Sequence, residues 1–173
     1  MESVVSDRVG FAIRGAESKD VFRLVAIYNH EVSQSQSNYE SRLQTFEERS
    51  LWLDNLLVRG YPVRVAELDG EVIGFGALTP FHPLTGYRHT VTGLLYVDHQ
   101  HRRTGVGSSL VEALIVEAKR RQFHSIIAGV NSANEPCLSL MARFGFERVG
   151  YFREIGRKGD KWFDDICLQL ILD

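Results

Sequence analysis

The sequence predicts an α/β domain built on a mixed sheet, and three observations lead there. Strand-like and helix-like segments follow one another in an irregular order, with hairpin patterns toward both ends of the chain. Between them, Thr90 to Val130 reads as a strand, a glycine turn, a helix and a second strand, which breaks a purely antiparallel order. A length of 173 residues with 44% apolar content suits one core of ordinary size. Residues 1–10 read as a flexible leader and residues 11–173 as a single domain.

Each element has its own signal. Phe11 to Arg14 is a short strand, and Val21, Leu24, Val25 and Tyr28 then recur at helical spacing. Glu31 to Arg42 is polar and without period, and a loop of that kind inside a compact domain tends to serve function. Thr45 and Glu48 have capping-box spacing ahead of a stripe of Phe46, Leu51, Trp52 and Leu56. Pro62 to Glu67 and Glu71 to Leu78, joined through Asp69-Gly70, form a hairpin pattern. Pro80 to Arg88 breaks it. Thr90 to Val97 is a strand, Ser108 to Arg121 an amphipathic helix, and Ser125 to Val130 a compact apolar strand. Asn134-Glu135-Pro136 opens a helix that stops at Gly145. Phe146 to Phe152 and Trp162 to Leu170 are the last strands.

Composition narrows the function classes. A formal net charge of −2 gives no global attraction to nucleic acid or to a membrane surface, and no run approaches the ~18 apolar residues of a membrane span. Two cysteines, Cys137 and Cys167, supply neither a disulfide framework nor a metal-ligand pattern. His99 and His101 beside Asp98 lack a tetrahedral set, so no metal is expected. The leader has no apolar secretory core, and the chain reads as cytoplasmic.

The most informative segment is Arg102-Arg103-Thr104-Gly105-Val106-Gly107-Ser108-Ser109, set between a strand and a helix. Helix starts present amides with no intrahelical partner together with the positive end of the helix dipole, and glycine lets backbone approach an anion. The segment therefore reads as a pyrophosphate seat. It lacks the frame of a phosphate-binding GxxxxGK[ST] loop, and Leu110 occupies the third small position of a dinucleotide fingerprint. A basic surface turn is the remaining alternative.

Arg102-x-x-Gly105-x-Gly107 resembles the [Q/R]-x-x-G-x-[G/A] signature of the GNAT N-acetyltransferases. Ile27-Tyr28-Asn29-His30, the run from Tyr61 to Leu78, Tyr87 to Val91, Leu95 to Gly107, the Asn134 helix with Gly145-Phe146, and Arg153 to Asp164 resemble the phosphinothricin and methionine sulfoximine branch. The resemblance implies a mostly antiparallel central sheet flanked by helices, acetyl-coenzyme A as cosubstrate, and a small amine acceptor. It implies that Arg102 and the amides of Arg103, Thr104, Gly105, Val106, Gly107 and Ser108 cradle the coenzyme pyrophosphate. Leu95, Tyr96 and Val97 would pair with the pantetheine arm by strand addition, and Asn134 would lie near it. Thr85, Gly86, Tyr87 and Tyr39 would line the acceptor side. Homodimers with loops meeting near the site are also implied.

Two positions depart from that branch. Thr92 stands where a glutamate commonly takes the amine proton, and a threonine hydroxyl can orient water but is a poor acceptor near neutral pH. Met141 stands where tyrosine or histidine is usual, and a thioether has no proton to give the leaving thiolate; core packing explains the residue. His89, Glu40 and His30 are candidate replacements for the base, with His89 nearest in sequence. Cys137 reads as a buried residue and has no part in a direct transfer. Three functions compete: acetyl transfer to a small amino-acid-like amine, coenzyme A binding with little catalysis, and acetylation of a protein or peptide amine.

Overall fold

The computed structural model describes residues 10–172, so the expected leader lies outside the described residues except for Gly10. Seven strands form one sheet: β1 (Ala12–Gly15), β2 (Val63–Leu68), β3 (Glu71–Pro80), β4 (Thr90–Val97), β5 (Ser125–Asn131), β6 (Glu147–Lys158) and β7 (Lys161–Ile171). Four helices, α1 (Val21–Gln34), α2 (Phe46–Val58), α3 (Val106–Arg120) and α4 (Glu135–Arg143), cover its two faces. The strand order is β1-β2-β3-β4-β5-β7-β6, and every neighbouring pair is antiparallel except β4 with β5. This is the mixed, mostly antiparallel α/β arrangement that the sequence predicts.

Alternation along the strands decides which helices cover which face. Val91 and Leu95 of β4, with Ile126, Ala128 and Val130 of β5, pack with Val111 and Leu114 of α3 and Leu138 and Met141 of α4. Phe75 and Ala77 of β3 meet Leu24 and Ile27 of α1 and Leu53 and Leu56 of α2, with Tyr96 packed alongside. Gly74 and Gly76 let α3 sit close to the sheet, since a Cβ there would come within 2.9 Å of Val106 and 2.8 Å of Leu114. The helix is also tied down electrostatically: buried Glu117 pairs with Arg64 of β2 and with Arg120 and Arg121. Burial alone would raise the Glu117 carboxyl. Hydrogen bonds from Arg120 and Arg121 and the charge of Arg64 hold it instead at about 2.

Several boundaries differ from the sequence reading, each for a local reason. α1 continues to Gln34, into the polar stretch, because nothing there breaks a helix and Val32 still turns inward. α3 starts at Val106, two residues early, because Gly105 adopts φ +95° and caps it. β6 runs on to Lys158 through an irregularity between Phe152 and Gly156, which hides the alternation of its second half. The capping box at Thr45 and Glu48 is formed as read.

Candidate active site

β4 and β5 stay together for three residue pairs only, Thr90 with Ser125, Val91 with Ile126 and Thr92 with Ile127. Past Thr92 they part. On its other side β4 remains paired with β3 through Val97, in regular register across Gly93, so the gap is not a bulge. A cleft of about 890 Å³ occupies the opening. Its walls include Leu95, Val97, Ala128 and Val130 from the α3–α4 side and Leu94, Tyr96, Gly129 and Asn131 from the α1 side. Because successive strand residues point to opposite faces, that lining means the cleft passes through the sheet.

One end of the cleft is the turn into α3. The first intrahelical bond is from the Ser109 amide to the Gly105 carbonyl, at 3.1 Å. The amides of Arg103 to Ser108 have no hydrogen-bond partner among the described residues. Arg103 at φ +63° and Gly105 at φ +95° curl this backbone into a concave set of donors. Arg103, Gly105, Gly107 and Ser108 line the cleft. Val106 is 1% exposed and packs in the core with Ile73 and Leu110. The Thr104 hydroxyl is occupied, donating to the His101 carbonyl at 2.6 Å. Arg102 also lines the cleft, but its guanidinium pairs with Glu31 of α1, leaving Arg103 as the cation of the two without an ion pair among the described residues. A pyrophosphate fits these donors, and the backbone groups of Gly93 to Val97 that face the gap suit an amide-bearing arm. Asn134 lines the same wall while its Oδ1 accepts from the Cys137 amide at 3.3 Å, so its capping and cleft positions coexist.

The other candidates are distributed unevenly. Thr92 is half-buried at the fork, one residue before the first lining residue of β4. The three proposed replacement bases are elsewhere. His89 is exposed, its Nδ1 3.2 Å from the Gln122 carbonyl beyond the C-terminus of α3. Glu40 accepts the Ser41 amide at 2.9 Å within its own turn, and His30 stacks on His99 at 4.0 Å. Thr85, Gly86 and Tyr87 form an exposed helical turn between β3 and β4, where Tyr87 meets Phe81 and His82, and none of them lines the cleft. Met141 is 7% exposed in the core with its edge on the cleft. Cys137 also borders it, and burial pushes its thiol up, away from nucleophilic thiolate character.

Tyr39 is held by parts the sequence does not connect. Its hydroxyl donates to Asp165 Oδ1 at 2.5 Å and accepts from Asn131 Nδ2 at 3.1 Å. Its ring stacks on Phe163 and covers Gly156, where any Cβ would run into it. Lys158 fixes the loop by donating to the carbonyls of Val32, Ser35 and Asn38 at 2.5, 2.7 and 2.9 Å. Asn131 and Asp165 escape a reading by motif. The usable signal was adjacency to Asp164, which itself accepts from Tyr151 and from the Glu154 amide and braces the β6 irregularity.

Residues 24–146 match the acetyltransferase (GNAT) family. The chain is 33% identical over 163 residues to an L-methionine sulfoximine/L-methionine sulfone acetyltransferase of Pseudomonas aeruginosa, covering 94% of this chain and 95% of that one. The structure of a ribosomal-protein-alanine N-acetyltransferase from Brucella melitensis superposes with a TM-score of 0.91 at 37% identity, covering 92% and 99% of the two chains. A phosphinothricin acetyltransferase from Sinorhizobium meliloti, solved in complex with acetyl-CoA, gives a TM-score of 0.91 at 27% identity over 94% and 89%. With its cleft through a split sheet, this chain belongs to the GNAT acetyltransferase family. Acetyl-CoA is the acyl donor of that family.

Proposed function

We propose that this protein transfers acetyl from acetyl-CoA directly to an amine nitrogen of a small, amino-acid-like acceptor, in the manner named for its methionine sulfoximine and phosphinothricin relatives. The observation that carries the reading is the set of free amides from Arg103 to Ser108 at one end of a cleft that passes between β4 and β5. Those amides hold the pyrophosphate, the backbone of Leu95 to Val97 pairs with the pantetheine, and Asn134 flanks it. Bound acetyl-CoA supplies the activated acetyl group. Thr92, at the fork, orients water that takes the amine proton, because no imidazole or carboxylate among the sequence candidates reaches the cleft. His89 accordingly has no catalytic role in this scheme.

The acceptor enters on the α1 face, beside Tyr39. Thr85 to Tyr87 join the acceptor site in a homodimer, brought there from a second copy. Exposed Phe81, Leu84 and Tyr87, and exposed Val149, Tyr151 and Ile155 on the edge strand β6, give such a dimer apolar surface. No described helix is long and apolar enough to cross a membrane, and the free cysteines suit a cytoplasmic setting.

The test is free thiol release from acetyl-CoA with methionine sulfoximine, phosphinothricin, amino acids and a peptide beginning with alanine, followed across pH. Turnover of small acceptors is expected. The relative named for ribosomal-protein alanine supports a second reading, a protein amine acceptor, which turnover of the peptide alone would favour. Tight acetyl-CoA binding with no acceptor-dependent thiol release would leave a binding protein. If Thr92 works through water, Thr92→Glu raises the rate at neutral pH by ~10-fold or more and introduces an acidic limb in the pH profile.

A further inference from the structure

We infer that Asp165, aimed by Tyr39 and Asn131, anchors a second cationic nitrogen of the acceptor, so that the preferred substrates are basic amino acids or diamines. The inference rests on the acetyltransferase reading above and narrows it. Asp165 pairs across the sheet with Asn131, and Gly129 lies two residues back along β5, on the same face. Gly129 is exposed although it is central to its strand, and it lines the cleft. Asp165 is half-buried just outside the cleft lining, and its Oδ2 lies 3.7 Å from where a Cβ on Gly129 would be, so at that lining residue no side chain stands between the carboxylate and the cleft. Gly129 is about 7 Å of strand beyond Ile127, the last β5 residue paired with β4. The carboxylate is therefore beside the acceptor-side opening, a short reach from the fork.

The two oxygens differ in a way that suits binding a charge rather than moving a proton. Oδ1 receives the Tyr39 hydroxyl, and Oδ2 has no hydrogen-bond or ion-pair partner among the described residues. The Tyr39 hydroxyl fixes the carboxylate's orientation and leaves Oδ2 as a hydrogen-bond acceptor with no donor among those residues. Tyr39 is a positioning residue: Asn131, 6% exposed, donates to its oxygen and to the Gln36 carbonyl, and the Lys158 clamp holds the loop beneath it. Lys158, which holds the Tyr39 loop, is engaged by loop carbonyls, and no Lys or Arg forms an ion pair with Asp165 among the described residues. An ammonium satisfies it, whereas an acceptor carboxylate placed there would meet like charge.

The test compares acceptors of one carbon skeleton with and without a terminal nitrogen: L-lysine against L-norleucine, and L-ornithine against L-norvaline. In the parent protein the ratio of kcat/KM, basic over neutral, is expected at tenfold or more, shrinking as salt screens the contact. Asp165→Asn lowers that ratio at least tenfold and Tyr39→Phe about threefold, the acetyl-CoA Kd serving as the check on folding. A parent ratio at or below one overturns the inference, as does a folded Asp165→Asn protein with the parent's ratio. Turnover of norleucine or methionine sulfoximine alongside either result leaves the acetyltransferase reading standing. Absence of acceptor-dependent thiol release with every acceptor removes both. The parent's ratio and its salt dependence decide the matter even if the variant fails to fold.

Discussion

From Arg103 to Ser108 one end of the cleft is furnished by consecutive backbone amides, whereas behind its lining residues Gly129 and Asn131 the side chains of Tyr39, Asn131 and Asp165 converge from three elements, Tyr39 and Asp165 lying 126 residues apart. The first arrangement needs only a helix start, two left-handed residues and a well-seated α3. Side-chain identity matters little there: Val106 is core, Thr104 is bound to His101, and Arg102 is paired with Glu31. The second depends on every side chain in it. The amide end thus tolerates change at its exposed side chains but not at Gly105 or at core Val106, and in the proposed scheme substrate choice rests on the side chains of the other end.

The largest effect that would sharpen this contrast is at the foot of α3. Glu117→Ala leaves Arg64 without its buried partner and should destabilise the fold by about 2–4 kcal/mol, read by chemical denaturation. The parent should show the matching pH dependence. The folded carboxyl, at about 2, is below its unfolded value of about 4.3, so the contribution is complete above the unfolded value and is lost as pH falls toward 2. The variant should lack that acid-limb slope. Next in size is Gly105→Val, which forces a β-branched residue to φ +95° and disturbs the curl of amides. A cost of about 2 kcal/mol corresponds to a ~30-fold rise in acetyl-CoA Kd, measurable by calorimetry.

At the acceptor end, Gly156→Ala pushes the Tyr39 ring off its seat and should lower the basic-over-neutral acceptor ratio by about fivefold, roughly 1 kcal/mol. The smallest effect tests whether amides rather than cations make the seat. Arg102 is half exposed and already engaged with Glu31, so Arg102→Ala should move the acetyl-CoA Kd by no more than about threefold. A loss comparable to that of Gly105→Val would erase the distinction drawn between the two ends.

The same contrast explains what could be read from the sequence. The segment Arg102 to Ser109 was legible because its chemistry is contiguous: two glycines, a strand before and an amphipathic helix after specify a helix-start anion site by spacing alone. The strand at Thr90 to Val97 and the Asn134 cap were legible for the same reason. The position of the fork was not, since the pairing of β4 with β5 ends after Thr92 while β4 itself continues unbroken to Val97. Nor was Asp165. The family resemblance runs as far as Asp164, yet strand alternation sends Asp164 and Asp165 to opposite faces, one to brace β6 and one to meet Tyr39. His89 is the reverse case: it is near Thr92 in sequence, yet its exposed ring lies against the Gln122 carbonyl.

The most direct test sets two variants side by side, Gly105→Val and Asp165→Asn, and reads two quantities in each, the acetyl-CoA Kd and the basic-over-neutral acceptor ratio. A cleft with a backbone-built donor end and a side-chain-built acceptor end predicts a crossed result. Gly105→Val weakens acetyl-CoA by ~30-fold and keeps the acceptor ratio, while Asp165→Asn keeps the Kd within twofold and lowers the ratio at least tenfold. Variants that each shift both quantities together would contradict it.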